Sequence, residues 1–541
     1  FFNDTATTEI YPRLDSSAAS DVYKRQHRLR SLAAVPAEFV ICRGRTVSGK
    51  CEVTAENAIL AALCLPVAVA LGIVVAGRMS DNLREAVTLI GAGSLAWVVW
   101  GMLPELYAGQ RPELTLSEPL PGLSIAFRVE PLGMLFAALA SGLWIVNSIY
   151  SIGYMRGNQE KKQTRFYTCF ALALAATMGI AFAANLFTLF LFYELLTLST
   201  YPLVSHKGDA ATVRSARVYL GLLLCTSIGL FLPAIIWTYH VAGGGDFTVG
   251  GILEGNINGP DVGLLLALFV FGIGKAAVMP VHRWLPAAMV APTPVSALLH
   301  AVAVVKAGVF TITKVIVYIF GVDFLFSVPS SGWLVYAAAF TIIVASVVAL
   351  RQQNLKRLLA YSTVAQLSYV VMAAAVLKPL AEIGAAIHMV AHAFGKITLF
   401  FAAGAIYTAA KKTELHQLRG IGRRMPWTMG AFTIGALSMI GVPPTAGFVS
   451  KWYILAGSFQ AENLLAIFTI IASTALNAAY FLPIIFMAWF AKEEVGGKDH
   501  GEAPLLVVLA VTITAFLTLA FFFFNGPVIE LEKQLVQGGL Q

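Results

Sequence analysis

Three protonatable side chains repeat at a spacing of four in an otherwise apolar stretch. In "AIHMVAHAFGKITLFF", residues 386–401, they are His388, His392 and Lys396. Residues four apart on an α-helix share one face, so the three form a stripe about 12 Å long. An imidazole and a desolvated lysine can both exchange protons near neutral pH. The spacing therefore predicts a ladder for protons along one helix.

Two other interpretations of the histidine pair stay open at the level of the sequence. A separation of four is typical of zinc ligands, but the acid of a His-Glu-x-x-His motif is missing and Lys396 is a poor third ligand. We therefore expect no metal at this position. The remaining alternative is a pair of hydrogen-bonded core histidines that only stabilise packing.

Further lysines fall inside apolar segments. They are Lys275 in "FGIGKAAVMP", Lys306 in "APTPVSALLHAVAVVKAGVF", Lys314 shortly after it, and Lys451 in "IGVPPTAGFVSKWYILAG". A charge at the centre of a bilayer costs about 3 kcal/mol on insertion scales, so each is a candidate functional residue. His300 lies six residues before Lys306 and joins the candidates. Lys314 lies near the end of its segment, where we expect its amine to reach the interface by snorkelling.

One acid lies inside the fifth apolar segment, "LFTLFLFYELLTLSTYPLV". Glu194 is the only acid in the interior of that segment. A buried carboxylate without a partner takes up a proton, whereas a nearby lysine keeps both groups charged. Lys275 is the candidate partner, and Pro280 closely behind it breaks the helix. The alternative is a static ion pair that fixes helix packing.

These residues need a membrane domain to hold them. The 541 residues are 58% hydrophobic and 12% charged, with a mean hydropathy of +0.76, more apolar surface than a soluble core can use. We predict an all-α polytopic membrane protein with about fourteen transmembrane helices, each needing about 20 apolar residues. Pro280, Pro443 and Pro444 predict breaks in the seventh and twelfth helices. Discontinuous membrane helices usually line a wet or ion-carrying cavity.

Cofactor motifs are not found in the sequence. It has no Gly-rich nucleotide loop and no Cys-x-x-Cys pair. Its five cysteines have neither metal-site nor disulfide-framework spacing: Cys42, Cys51, Cys64, Cys169 and Cys225. We therefore expect no cofactor and no metal in this chain, which favours a transport module over a redox catalyst.

The net charge of +8 is distributed by loop rather than in a nucleic-acid-binding patch. Of the 37 lysines and arginines, twenty lie in or beside the loops after odd-numbered segments. Only Arg111, Arg128 and Lys378 flank the even-numbered loops. The positive-inside rule therefore predicts cytoplasmic odd-numbered loops and both termini on the other side. We expect the membrane to be a bacterial inner membrane.

The beginning of the chain has a composition of its own. Residues 1–26 include "NDTATTEIY" and "SSAASDVYKRQ", which resemble in-frame translations of sequencing-adapter DNA. We interpret these residues as an artefact and leave residues 27–52 as an unassigned upstream segment. The predicted membrane domain covers residues 53–541, with its core at about 129–490.

Four stretches in order carry a resemblance to a known family. They are "GKAAVMPVHRWLPAAMVAPTPVSALLHAVAVVKAG", "LKRLLAYSTVAQLSY", "HMVAHAFGKITLF" and "GVPPTAGFVSKW". Together they resemble the antiporter-like membrane subunits shared by respiratory complex I, membrane-bound hydrogenases and Mrp-type cation/proton antiporters, over about residues 57–525. The resemblance implies fourteen helices, two inverted five-helix repeats, and broken seventh and twelfth helices. It also implies other membrane subunits as partners, with protons and Na⁺ or K⁺ as the transported ions.

The same resemblance implies roles for individual residues. Glu194 and Lys275 match the family's gating pair on the fifth and seventh helices. His300 and Lys306 match the connecting position of the eighth helix. The eleventh-helix relay is matched by His388, His392 and Lys396. Lys451 matches the terminal lysine near the exit, where some complex I members carry Glu instead.

The type of complex is left between two main alternatives, and a role independent of ion exchange, such as that of a bicarbonate-uptake membrane subunit, is a third. Relatives with a long lateral helix extend well beyond a fourteenth helix, so the length favours a D-type Mrp subunit. The alternative is a proton-pumping membrane subunit of a complex I-like NADH-quinone oxidoreductase or a membrane-bound hydrogenase. The sequence does not distinguish Na⁺, K⁺ and H⁺ as the ion that moves.

Overall fold

The structure is a computed structural model that describes residues 55–492 and 500–538. Within this range, the side chains of residues 299, 300 and 535–538 are not described. The described helices belong to one compact unit, Thr54–Gln541. Residues 1–26 and 27–52, the predicted artefact and upstream segment, lie outside the described residues.

The described part of the chain is helical apart from one β-hairpin. Its first helices and strands are α1 Ala55–Met79, α2 Asp81–Gly101, α3 Leu103–Tyr107, β1 Glu113–Leu120, β2 Leu123–Arg128, α4 Pro131–Gly157, α5 Gln163–Phe182, α6 Leu186–Val204, α7 Ala210–Thr226, α8 Leu232–Ala242 and α9 Gly259–Gly272. The rest are α10 Trp284–Ala287, α11 Thr293–Ala297, α12 Val304–Val315, α13 Val322–Ser327, α14 Trp333–Leu350, α15 Leu355–Ala375, α16 Pro379–Ala410, α17 Pro426–Ile440, α18 Ala446–Gln460, α19 Leu464–Phe490, α20 Leu505–Phe523 and α21 Gly526–Gly538.

Membrane-spanning capacity is clear for most of these helices. Within the described residues, 11 helical stretches are long and apolar enough to cross a membrane. The chain is therefore an all-α polytopic membrane protein. The count of fourteen stays a prediction, because the remaining apolar segments are shorter or interrupted.

Two apolar segments are interrupted in their middle. After α9 the chain makes two 3₁₀ turns, Gly274–Ala276 and Val281–Arg283, before the short helix α10. Residues 441–445, with Pro443 and Pro444, separate α17 from α18. A helix end leaves backbone groups without intrahelical partners, so each interruption creates polar atoms inside an apolar bundle.

The helix α16 lies at the centre of the bundle. Its most apolar 18-residue window is 94% buried, whereas the corresponding window of α1 is 44% buried. A helix hydrophobic all round and buried on all sides is a core helix. Polar side chains on α16 therefore meet protein and not lipid, which makes it the helix best placed to carry a buried row of titratable groups.

Candidate functional site

The predicted row on α16 is buried in the bundle. His388, His392 and Lys396 each expose at most 1% of their surface. The imidazole centroids of His388 and His392 lie 6.1 Å apart. His388 Nδ1 lies 2.9 Å from the Ser450 hydroxyl on α18. The two imidazoles are therefore neighbours, and one of them connects α16 with α18.

Lys306 reaches this row from another helix. It lies on α12, is fully buried, and its Nζ is 2.7 Å from His392 Nδ1. In a hydrogen bond between two nitrogens one donates and the other accepts, so a single proton lies between them. The predicted neighbour His300 lies in a π-helical turn before α12, and its side chain is outside the described part of the chain.

Lys396 starts a second hydrogen-bonded row. Its Nζ donates to the Ser362 hydroxyl on α15 at 2.7 Å. Ser362 Oγ is 2.9 Å from the hydroxyl of Tyr480 on α19, and that hydroxyl in turn donates to Asn477 Oδ1. Three neutral polar groups thus extend the predicted row from α16 through α15 to α19.

Lys451 lies at the interruption between α17 and α18. Its Nζ donates to the carbonyl oxygens of Met439 at 3.1 Å and Ile440 at 2.8 Å. These carbonyls belong to the last turn of α17, where they have no intrahelical donor and carry the negative end of the helix dipole. Asn477 Nδ2 donates to the same Met439 oxygen at 3.2 Å. The row that begins at Lys396 therefore ends at Lys451.

Lys275 lies at the other interruption. It is fully buried, and its Nζ donates to the Tyr193 carbonyl at 2.8 Å and to the Thr197 hydroxyl at 2.6 Å. The same Nζ lies 3.1 Å from the centroid of the Tyr193 ring. A carbonyl, a hydroxyl and an aromatic face all favour a cation, and none of them carries a full negative charge.

The structure does not bring Glu194 and Lys275 into an ion pair. Within the described residues, both Glu194 oxygens are buried without a hydrogen-bond partner. Glu194 directly follows Tyr193, whose carbonyl accepts from Lys275 Nζ, so the carboxyl group and the amine belong to the same part of the bundle. The arrangement therefore matches neither the predicted direct pair nor a static salt bridge.

The prediction that the Lys314 amine reaches the membrane interface by snorkelling is wrong. Its side chain is fully buried instead of snorkelling, and its Nζ lies 3.0 Å from Glu130 Oε2 and 2.7 Å from the Ala183 carbonyl. A buried ion pair with good geometry keeps a lysine inside the protein. Lys314 is thus a buried charge with an acidic partner, unlike the other interior lysines.

The other interior lysines differ from Lys314 because they have no acidic partner among the described side chains. Lys275, Lys306, Lys396 and Lys451 are at most 7% exposed, and none has an ion-pair partner among the described side chains. Desolvating an uncompensated charge is costly, and such a group gives up its proton instead. These four amines are therefore suited to binding and releasing protons, which Lys314 is not.

Several members of the site were missed at the level of the sequence. Ser362, Tyr480 and Asn477 lie in the row between Lys396 and Lys451. Ser450 contacts His388, and Thr197 helps to hold Lys275. Hydroxyl side chains in helices more often bond to their own backbone, as Thr363 does to the Leu359 carbonyl. Their residue type therefore did not indicate that they belong to the site, and only the packing of the helices identifies them.

The described residues hold no group of three or more His, Cys, Asp or Glu side chains arranged to bind a metal ion. The chemistry available at the site is that of amines, imidazoles, hydroxyls and amides. The amines and imidazoles bind and release protons, the hydroxyls can pass them, and the amides hold these groups in hydrogen-bonded rows.

The sequence of this chain is similar to those of known membrane proteins. Residues 183–477 match the family model described as NADH:quinone oxidoreductase/Mrp antiporter, TM. The chain is 32% identical to the NADH-quinone oxidoreductase subunit N of Desulforudis audaxviator over 413 residues, which cover 75% of this chain and 80% of that protein. It is 30% identical to a Rhizobium meliloti protein named as part of a probable K⁺/H⁺ antiporter, over 422 residues that cover 77% of this chain and 40% of that protein.

Several relatives are longer than this chain, and a solved structure has the same fold. The chain spans less than two thirds of the length of the longer curated relatives that it matches. A chain of the Mrp complex from Dietzia sp. DQ12-45-1b has the same fold, with a TM-score of 0.76 over 88% of this chain and 96% of that chain. Its 21% sequence identity supports the fold and nothing further.

Proposed function

This chain belongs to the NADH:quinone oxidoreductase/Mrp antiporter transmembrane family, and we propose that it is the proton-translocating subunit of a multisubunit monovalent cation/proton antiporter. The observation that carries the proposal is the hydrogen-bonded row from Lys396 to Lys451. It links two buried amines through neutral groups on three other helices. Such a row lies across the helices and therefore runs along the membrane plane.

The titratable residues have successive roles in this proposal. Lys275, influenced by the Glu194 carboxylate, is the switch that loads and releases a proton. Lys306 and His392 share the next proton through their contact of 2.7 Å. Lys396 exchanges the next proton with Lys451 along the row of Ser362, Tyr480 and Asn477. Water carries the proton over the last step, because Asn477 Nδ2 and Lys451 Nζ both donate to the Met439 carbonyl, which only accepts. His300 and His388 extend the relay at the eighth and eleventh predicted helices.

The surroundings of the chain follow from its charge distribution and its relatives. The positive loop bias supports cytoplasmic odd-numbered loops, and bacterial relatives support a bacterial inner membrane. Relatives named as subunits of antiporters and oxidoreductases support partner membrane subunits in a hetero-oligomer. The counter-ion is Na⁺ or K⁺, and a transport measurement with each cation separates them.

The test is proton/cation exchange in everted membrane vesicles that contain the assembled complex. A pH-sensitive dye should report alkalinisation of the acidified lumen on addition of Na⁺ or K⁺. Tyr480→Phe removes the hydroxyl that connects Ser362 with Asn477 and leaves buried partners unsatisfied. The loss of about 1–3 kcal/mol, taken at the transition state for exchange, corresponds to roughly 5- to 150-fold slower exchange. Tyr336→Phe is the matched control, because Tyr336 is exposed on the surface of its helix. Equal exchange rates for both variants would contradict the relay.

A second function is favoured by one observation. The relative that this chain covers to 80% of its length is a subunit of an NADH-quinone oxidoreductase. In that case the same relay would pump protons in a complex I-like enzyme whose redox centres lie in other subunits. Vesicles would then acidify on addition of NADH and quinone and would not respond to Na⁺ or K⁺. The subunits that co-purify with the chain give an independent answer.

A further inference from the structure

A cavity of about 220 Å³ opens at one end of the bundle, away from the relay. It lies between the loop after α6, the beginnings of α11 and α15, and the end of α16. Three lysines line it: Lys207, Lys356 and Lys412. The hydroxyl-bearing side chains of Tyr154 and Tyr407 lie in the same wall. No aspartate or glutamate is among the lining residues.

The lysines of this cavity lack counter-charges. Among the described side chains, none of the three has an ion-pair partner. Lys356 Nζ donates to the Ala291 carbonyl at 2.6 Å, which is a neutral acceptor. Lys207 is close enough to act on Lys356 through its like charge. Like charges brought together by a fold repel each other, and a bound anion would relieve that repulsion.

The size and position of the cavity select the class of anion. Water occupies about 30 Å³ per molecule in the liquid, so the cavity holds the equivalent of roughly seven waters. That volume accommodates a phosphate group with part of its hydration shell. Lysine ammonium groups and hydroxyls are common ligands of phosphate oxygens. Basic pockets between membrane helices on the cytoplasmic side are also typical sites for anionic lipid headgroups.

We propose that this cavity binds a phosphate-class anion, supplied either by the headgroup of an anionic phospholipid or by free phosphate. Bound there, the anion connects the loop after α6 with α15 and α16. Ala403 in the cavity wall lies seven residues from Lys396 on α16, which is about 10 Å along the helix. The anion would therefore hold the end of the relay helix in place without being part of the relay. The site is independent of whether the complex is an antiporter or an oxidoreductase.

The experiment measures the thermal unfolding midpoint of the full chain, purified with its co-purifying subunits and delipidated in a neutral detergent. Millimolar sodium phosphate is titrated against sodium chloride at equal ionic strength, and phosphatidylglycerol against phosphatidylcholine in mixed micelles. Lys207→Gln/Lys412→Gln removes two charges from the cavity rim. Lys161→Gln/Arg357→Gln removes two exposed charges that do not line the cavity and serves as the control.

We expect a saturable rise of the midpoint in the wild type. The cavity double variant should need at least about tenfold more of the same anion, equivalent to about 1.4 kcal/mol, and the control double variant should match the wild type. Saturation by inorganic phosphate identifies free phosphate as a ligand, and saturation by phosphatidylglycerol alone identifies a lipid headgroup. A response equal to that of chloride and phosphatidylcholine, or one unchanged in the cavity variant, would overturn the proposal and leave a water-filled cavity.

Discussion

Lys275 is the residue at which a proton switch and a structural cation differ most clearly. Its amine is held by the Tyr193 carbonyl, the Thr197 hydroxyl and the Tyr193 ring, all of which would also accept a permanent cation. Arginine keeps a positive charge but does not release a proton in the accessible range. Lys275→Arg should therefore abolish proton-coupled transport in vesicles with assembly intact, and Lys275→Ala should do the same.

Glu194 and Lys314 provide the comparisons for this prediction. Glu194→Gln should slow transport severely, because the lysine then loses the negative charge that acts on it. Lys314→Arg is the matched control: Lys314 is equally buried but has the Glu130 carboxylate as a partner, so a permanent charge is acceptable there. Near-normal transport by Lys275→Arg, at wild-type assembly, would rule out the switch.

At the scale of the element, the interruption after α9 depends on close packing against α12. A Cβ atom at Gly308 would lie 2.2 Å from the Ala276 nitrogen and 2.3 Å from the Lys275 carbonyl carbon. Backbone atoms cannot move aside as a flexible side chain can, so Gly308→Ala should force α12 away from the Lys275 turn. We expect a loss of about 1–3 kcal/mol in stability and reduced transport, measured as the unfolding midpoint and exchange rate of the same preparation.

Gly221 is the control for that substitution. It lies in α7, and a Cβ there would meet no atom within 4 Å. Gly221→Ala should leave transport unchanged and stability unchanged or slightly raised, because alanine favours a helix interior more than glycine does. Full stability and transport of Gly308→Ala would contradict the described contact between α12 and the turn.

The helix α21 carries a pH-dependent contact outside the membrane-spanning segments. Its Glu532 side chain is 1% exposed, and both oxygens lack a hydrogen-bond partner among the described residues. Burial, with a smaller contribution from the charge of Glu382, raises the pKa of Glu532 from 4.5 to about 8. The docked helix thus holds a proton that an undocked, exposed helix loses near pH 4.5, so docking weakens as the pH rises from about 4.5 to 8.

Hydrogen exchange of the α21 amides, corrected for intrinsic rates, measures this docking. In the wild type, the protection of these amides against exchange should fall between pH 4.5 and 8 and level off above pH 8. Glu532→Gln, which cannot ionise, should keep its protection across that range. Glu530→Gln is the control, because Glu530 is exposed. Equal pH profiles for the wild type and Glu532→Gln would show that this carboxyl does not titrate with docking.

The elements show which parts of the site were predictable from the sequence. The row on α16 was predictable because residues four apart must share a helix face whatever surrounds them. Cross-helix contacts such as Lys396 with Ser362 were not, because they depend on how two helices are rotated against each other. The error on Lys314 has the same cause: its partner Glu130 lies far away in the sequence. The family was predictable, since four ordered motifs fix it, and the matching family model confirms that prediction.

At the scale of the whole molecule, the open question of sidedness can be decided by two fusions. The bundle places the end of α8 at Ala242 and the end of α16 at Ala410, and each is followed by residues outside the helices. Lys411 and Lys412 follow α16, whereas the residues after α8 are glycines without charge. The positive-inside rule depends on this difference, because positively charged loops are retained in the cytoplasm.

A reporter fused after Lys412 should therefore be cytoplasmic, and one fused after Gly244 should be extracytoplasmic. Alkaline phosphatase folds only on the oxidising side of the membrane, so it should be active after Gly244 and inactive after Lys412. Green fluorescent protein should give the reverse pattern at the two sites and thereby control for expression. Because each missed helix reverses the orientation of every later loop, the opposite result at either site would contradict the predicted arrangement of fourteen helices. The opposite result after Lys412, which lines the cavity, would also place the cavity on the extracytoplasmic side, away from the anionic cytoplasmic leaflet that makes a lipid headgroup a candidate ligand.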